Sequence, residues 1–505
     1  MDFLDPKKQK AHKIRLFIGY FLVGIALILT TIILLYQAYG FGVDKHGQVI
    51  QNGLVFVSST PGPANIYLNG KLKDATNTRM FLPAGQYTFE VNRDGYRNWK
   101  RAVTVEGGSV EHFDYPFLFP TKLASTATKK YAAQPGLVLQ TPDRRWLLAQ
   151  TPEAFNKFDM FDLNAKKPAD TLKTITIPEN LLATFSGSNG SAQNWEFEEW
   201  STDNRHVLLK HLFQKDGQTS SEYIIVDRTE PTQSLNLTST LGVTPSKIEL
   251  RDKKYDQYYL YDQAIGALTT ATLKEPTPKA YLEHVLDFKS HGSDVMLYAT
   301  SQGAPAGKTI IKLREGDKTY NIRTVTAGSQ YLLNLTQYSG DWLVAVGAPV
   351  EGKVYVYQNP AAALGNKPDD VLVPVGVLKV PGANYLSFSD NARFIMTENG
   401  DHFAVYDAEN DKSYAYHTKH ALDAPQTHAT WMDGHRLTYV SGGKVIAFDF
   451  DSVNLQTLEA ADPAIVPLYD QNYKFLYTFT TQPATGATPA QPALTSTSLR
   501  TTQDQ

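Results

Sequence analysis

Along most of the chain apolar and polar residues alternate with the period of two that half-buried strands require, and one stretch breaks that pattern completely. From Leu16 to Tyr36 the chain reads LFIGYFLVGIALILTTIILLY, with no charge and no proline. As a helix rising ~1.5 Å per residue it spans roughly 30 Å, the hydrocarbon thickness of a bilayer. Residues 1–15 carry Lys7, Lys8, Lys10, Lys13 and Arg15 against Asp2 and Asp5. Such a basic flank places the N-terminus on the cytoplasmic side. The apolar part of a signal peptide runs ~7–15 residues and ends at small residues. This run is longer and exits through Tyr36-Gln37-Ala38-Tyr39. The pattern predicts a cytoplasmic basic stub at 1–15, then an uncleaved single-pass helix at 16–36 that contacts the lipid bilayer. The bulk of the chain is then extracytoplasmic at a cell membrane, with Tyr36 and Tyr39 in the interfacial aromatic belt.

Residues 37–52 form a juxtamembrane spacer. There Val43 and Val49-Ile50 flank Asp44-Lys45-His46-Gly47, which suits a small hairpin or an extended link with His46 in a turn. Residues 53–118 read as short strands separated by tight turns. Gly53 to Ser59 is a strand, and Ala64 to Leu68 alternates up to the hairpin signal Asn69-Gly70. Gln86 to Val91 alternates again toward Asp94-Gly95, and Ala102 to Glu106 and Val110 to Tyr115 follow. Strands of that number and length imply a compact β-sandwich. Ser59, Pro61 and Ala64, the run Ile66-Tyr67-Leu68-Asn69-Gly70-Lys71, Leu82 to Tyr87, and Gly95-Tyr96 with Trp99 carry a family resemblance. On these residues 53–118 is similar to a PEGA domain, a small β-module of extracytoplasmic proteins. The turns at Pro61 to Ala64 and Ala75 to Thr78 depart from that family's usual wording. The resemblance implies a fold and an envelope setting, since its residues are turns and core aromatics. Phe113 to Pro120 reads as a docking segment or stiff linker, and Ser125 to Lys130 as a domain boundary.

Residues 131–480 repeat a short pattern. Thr141-Pro142-Asp143-Arg144-Arg145-Trp146, Trp200-Ser201-Thr202-Asp203-Asn204-Arg205, Phe388-Ser389-Asp390-Asn391-Ala392-Arg393 and Trp431-Met432-Asp433-Gly434-His435-Arg436 each run into an apolar strand. Beyond each, a second apolar strand ends in an acid: Asp162, Asp227, Asp407 and Asp449. Degenerate copies sit at Tyr259 to Asp262, Phe288 to Tyr298, Trp342 to Val346 and Tyr469 to Tyr477. Recurrence near 40–60 residues with four short strands per unit predicts a β-propeller. The turns resemble the Trp-Ser-Pro-Asp-Gly type of WD40-like and TolB-like blades. The length suits six to eight blades, about seven at ~40–50 residues each. Residues 481–505 are Thr, Ala, Pro, Gln and Ser with few large apolar side chains, which predicts a disordered tail.

Composition narrows the chemistry. The chain has no cysteine, which removes disulfides, thiolate metal sites and a thiol nucleophile. The net charge is −3 although the N-terminal stub is basic, so the remainder is mildly acidic and gives no reason to bind nucleic acid. There is no Gly-x-Ser-x-Gly elbow, no His-Glu-x-x-His helix and no phosphate loop. Asp407 to Asp411 imitates a calcium loop, but Lys412 and Thr418 stand where Gly and Glu are needed, which favours a hairpin turn. His402, His417, His420, His428 and His435 crowd together; a metal or pH-sensing site competes with separate solvated loop histidines, and the second is favoured because no carboxylate pattern converges with them, while the Asp turns read as hydrogen-bonding corners. No catalytic, cofactor-binding or metal residue is assigned, and no cofactor. The expectation is a mainly β protein with one N-terminal helix, a PEGA-like sandwich and a propeller. Its expected role is non-catalytic binding or scaffolding toward an envelope protein or glycan. The alternatives are a propeller enzyme acting on glycans or peptides, which would need carboxylates gathered at the channel, and an envelope-stress sensor subunit.

Overall fold

The apolar run folds as the first half of a simple logic: backbone groups that lipid cannot satisfy must be satisfied within a helix. Helix α1 runs Pro6–Ala38. In the computed structural model the described residues are 6–38, 40–43, 49–183, 193–366, 371–424, 427–482 and 490–504. His46 and Tyr39 lie outside them. From Gln9 to Tyr36, α1 is long and apolar enough to cross a membrane, and its apolar window is unburied. Phe17, Leu27 and Ile28 stand exposed on different sides, and the hydroxyls of Thr30 and Thr31 are satisfied by the carbonyls of Ala26 and Leu27 at 2.8 Å. The predicted stub is helical from Pro6 onward, because its lysines do not oppose helix.

The chain divides into two compact units, 1–122 with 500–505, and 123–499. The first holds two four-stranded sheets. Strands β1 (Phe41–Val43), β2 (Val49–Val57), β5 (Thr78–Pro83) and β8 (Val110–Phe113) form one, and β3 (Asn65–Leu68), β4 (Lys71–Ala75), β6 (Gly85–Asn92) and β7 (Trp99–Val105) the other. Their facing sides bury Val55, Ile66, Phe89, Val91, Trp99 and Phe113, with the Trp99 ring edge-on to Tyr115 at 5.8 Å. The β3–β4 hairpin turns at Asn69 and Gly70, both at positive φ, as that dipeptide predicts. Two expectations are corrected here. The spacer takes the hairpin pairing, Val43 with Val49 and Phe41 with Gln51, but is not separate from the domain, since its second strand continues to Val57. Phe113 to Pro120 is not a linker: Phe117, Leu118 and Phe119 are buried, and Leu118 N–H donates to the Thr60 carbonyl.

The second unit is a propeller. Among the described residues it has eight four-stranded antiparallel sheets. Blades 1–7 span 138–176, 193–236, 247–282, 285–326, 332–379, 385–417 and 430–460, each in simple sequence order. Blade 8 takes three strands from Leu468–Tyr469, Phe475–Gln482 and Gln491–Ser498 and its fourth from β9 (Ala124–Lys130). The eight repeat copies, four clear and four degenerate, fall one to a blade. The length estimate of about seven undercounts because it leaves out both ends of blade 8.

The predicted tail is corrected in the same way. Gln491–Ser498 is a strand held on both edges, by Phe475–Gln482 and by β9, with Ala493, Leu494 and Thr497 fully buried. Counting large apolar residues misses it. A strand between two others satisfies its whole backbone, and threonine suits the pleated surface; Thr480 and Thr495 share a hydrogen bond at 2.9 Å. Residues 500–504 return to the first unit, where the Asp504 carboxylate accepts from Tyr96 Oη at 2.7 Å and pairs with Arg93. The predicted boundary at Ser125 to Lys130 is β9 itself. Residues 483–489 of the expected tail are outside the described residues.

Candidate functional site at the propeller channel

The repeat explains what most of its conspicuous residues do. In each clear copy a side-chain oxygen at the turn, an acid's in three of the four, accepts from backbone N–H groups just beyond it. Asp203 Oδ1 takes Arg205 N at 2.8 Å, Asp433 Oδ1 takes His435 N at 2.7 Å, and Asn391 fills that place in blade 6. The arginine that follows pairs with the acid ending the third strand. Arg145 meets Asp162 at 2.8 Å, Arg205 meets Asp227 at 2.5 Å, Arg393 meets Asp407 at 2.7 Å, and Arg436 lies 3.6 Å from Asp449. These are clamps that fasten one turn of the blade to the next strand. Asp407 is fully buried and also accepts Glu409 N and Asn410 Nδ2, so the imitation calcium loop is a hairpin whose acid is already saturated.

The centre of the ring is different. The first strands of blades 1, 2, 7 and 8 line one cavity, and those of blades 3, 4 and 5, with Asn384, line another. One, of about 290 Å³, lies toward their ends and is faced by Gln140, Phe197, Trp200, Trp431 and Tyr469. The other, of about 310 Å³, lies toward their starts and is faced by Lys247, Asp287, Tyr331, Leu332 and Asn384. Arg144, on the first turn of blade 1, crosses to other blades at the first mouth. It donates to the Met432 carbonyl, pairs with Asp390 and stacks 4.9 Å above Tyr473. Burial raises the Asp390 carboxyl despite that arginine.

On the inner strands of blades 2–4 acids and lysines concentrate. Lys247 Nζ lies 2.8 Å from Glu249 Oε1, Lys289 Nζ lies 3.8 Å from it, and Ser290 Oγ donates to Oε2 at 2.8 Å. Burial opposes the charge on Glu249, but the two lysines outweigh it and hold the carboxyl down at about 2. Glu199 is in the reverse position. Burial, and then the charge of Glu249, push it up to about 7, although its carboxylate accepts the Leu250 N–H. A β-bulge between Phe197 and Glu199 takes Glu198 out of register, and burial raises Glu198 and Asp287 as well. The cluster therefore contains a carboxyl that exchanges a proton near neutrality beside one that stays ionised. Glu199 directly precedes the clear turn of blade 2 and the other members lie in blades 3 and 4, whose copies are degenerate, so the repeat itself does not mark the cluster. The only trace in the chain is charge on strand positions, as in Glu196-Phe197-Glu198-Glu199 and Lys247-Ile248-Glu249.

The crowded histidines separate. His428 Nδ1 lies 2.8 Å from the buried Glu398, with its ring stacked 4.0 Å from Tyr385. His435 packs edge-on against Phe394. His402 and His417 instead come together, ring centroids 3.9 Å apart, with Asp401 Oδ1 2.7 Å from His402 Nδ1.

Comparison with known proteins gives the following. Residues 52–118 match the PEGA domain family. No curated protein matches the chain. Among solved structures it is similar to Hsv2 of Kluyveromyces lactis, at 11% identity and TM-score 0.37, over 66% of this chain and 100% of that one. It is also similar to dipeptidyl peptidase 4 of Porphyromonas gingivalis, at 11% identity and TM-score 0.41, over 72% and 57%. A third is the Swd1 β-propeller domain of Myceliophteria thermophila, at 14% and 0.35, over 66% and 100%. The chain thus combines an apolar N-terminal helix, a segment at 52–118 that matches the PEGA domain family, and a β-propeller of eight sheets among the described residues.

Proposed function

We propose that this chain is a single-pass membrane protein, cytoplasmic at its N-terminus, that presents its propeller on the extracytoplasmic side as a binding or scaffolding surface for an envelope protein or glycan. One observation carries this reading: the recurrent acids and arginines of the blades are spent on one another. Asp162, Asp227, Asp407 and Asp449 all answer arginines of their own blade. The repeat thus builds a stiff ring with broad faces, which is what a recognition platform needs. The apolar surface of α1 and the basic residues before Leu16 support the anchor and its orientation.

The test uses the full chain in lipid nanodiscs with a photo-crosslinking residue at Phe197, which is 45% exposed at the first cavity. Purified peptidoglycan, envelope glycans and envelope proteins are titrated separately. A saturable crosslink to one of them, competed by the same material without a crosslinker, supports the reading. Turnover of a glycan or peptide with no saturable complex overturns it.

A second reading has its own observation. Glu199, held at about 7 beside an ionised Glu249, is the pairing of unlike carboxyls that glycoside hydrolysis uses. Under that reading Glu199→Gln abolishes turnover of a glycan while leaving its binding intact.

A further inference from the structure

The end of blade 6 brings together three donors whose sequence numbers hide their proximity. Strands His402–Asp407 and Lys412–His417 pair antiparallel, and His402 stands directly opposite His417, so both imidazoles leave the same face of the sheet. Asp401 precedes His402 at the tight turn. Gly400 takes that turn at φ 70°, its N–H donating to Glu398 Oε2 at 2.9 Å. The Asp401 carbonyl accepts Thr418 N at 2.9 Å, so the backbone of both strands is fastened where the three side chains emerge. Glu398 is itself buried and held by His428. The three side chains thus stand on a fixed base.

One donor atom from each of Asp401, His402 and His417 lies within 4.8 Å of the other two. Bonds of ~2.0–2.2 Å to one ion put tetrahedral donors roughly 3.3 Å apart. Small rotations of half-exposed and exposed side chains close that gap. The His417 ring makes no hydrogen bond to a described residue, which leaves its nitrogens available.

We propose that Asp401, His402 and His417 bind one divalent first-row transition metal ion. Two imidazoles and a carboxylate match zinc, cobalt, nickel or copper, and are a poor set for magnesium or calcium, which prefer all-oxygen cages. Three protein ligands leave a fourth position for water or for a donor from another molecule. The site lies on the face of blade 6 opposite the Asp-turn clamps, so it does not compete with them.

The experiment titrates zinc into the tag-free full chain in nanodiscs by calorimetry, with cobalt as a spectroscopic probe of donor set and geometry. Expected are one saturable zinc equivalent and a cobalt spectrum of a low-coordinate nitrogen–oxygen site. His417→Gln is expected to weaken zinc at least ~10-fold and His402→Gln with His417→Gln to abolish that equivalent. His112→Gln, an exposed histidine of β8, leaves it unchanged. All four proteins share one melting temperature without metal, and zinc raises it only where the site is intact. No saturable equivalent in the parent, or an equivalent that survives in the double variant, overturns the proposal.

Discussion

Glu199 makes the sharpest prediction, because a single atom's change removes a large and signed effect. Its carboxyl is raised from an ordinary 4.5 to about 7 by burial and by Glu249. Between those two pH values the folded protein keeps a proton that the unfolded chain has lost. Stability therefore falls as pH rises through that window, and above it the folded state carries the whole cost. The shift corresponds to about 3 kcal/mol. Glu199→Gln keeps an acceptor for the Leu250 N–H and can never ionise. Unfolding entropy is ~2 cal/mol/K per residue, which for a unit of the size of 123–499 gives ~0.8 kcal/mol per degree. The variant is expected to melt at the same temperature as the parent at pH 5 and about 4 °C higher at pH 8, followed by intrinsic fluorescence in nanodiscs. Glu249 does not confuse the result: its depressed carboxyl contributes stability that is lost only as pH falls from about 4.5 toward 2. A parent–variant gap that is the same at pH 5 and pH 8 would refute the argument.

The clamps separate by burial. Arg393→Ala leaves the fully buried Asp407 without its main partner and is expected to cost about 3–5 kcal/mol, whereas Arg145→Ala, at a half-exposed pair, costs under ~1 kcal/mol. Chemical unfolding of the two variants side by side reads the difference, and equal losses would count against the clamp reading. Tyr96→Phe removes the bond to Asp504 and the acceptor for Thr501 N, and is expected to cost about 1–2 kcal/mol in the first unit. Hydrogen exchange at residues 501–504 should rise in that variant and stay unchanged around blades 1–7. Ending the chain after Gln482 removes the third strand of blade 8. Cooperative melting of the propeller is expected to disappear, and a truncated chain that melts like the parent would show that the ring does not need this strand.

How much of this could be read from the chain depended on whether the signal was local. The membrane-length run at 16–36 was, and so was the Asn69-Gly70 turn, because two successive positive φ angles demand that chemistry. The blade pattern was legible because each clamp needs an arginine just after a turn and an acid at the end of a later strand. What escaped was set by tertiary register. Gln491–Ser498 and β9 look like polar tail and linker until they are placed beside Phe475–Gln482. Phe117 and Phe119 look like a linker until the sandwich closes over them. His402 and His417 become neighbours only through strand pairing, and Glu199 and Glu249 only because consecutive blades set their inner strands side by side.

The borrowed strand of blade 8 has a consequence for biogenesis. A ring closed by β9 and by residues 468–498 cannot be finished while the ribosome is still making blades 1–7. Each of those blades is a meander of neighbouring strands and can form as it emerges, but β9 must wait with both edges unpaired until Gln491–Ser498 arrives. If the anchor holds the N-terminus in the bilayer, that waiting strand hangs beside the translocation machinery throughout synthesis. Its sequence, Ala-Ser-Thr-Ala-Thr-Lys-Lys, is suited to the delay: small, polar and basic, it offers a poor template to any other strand that passes.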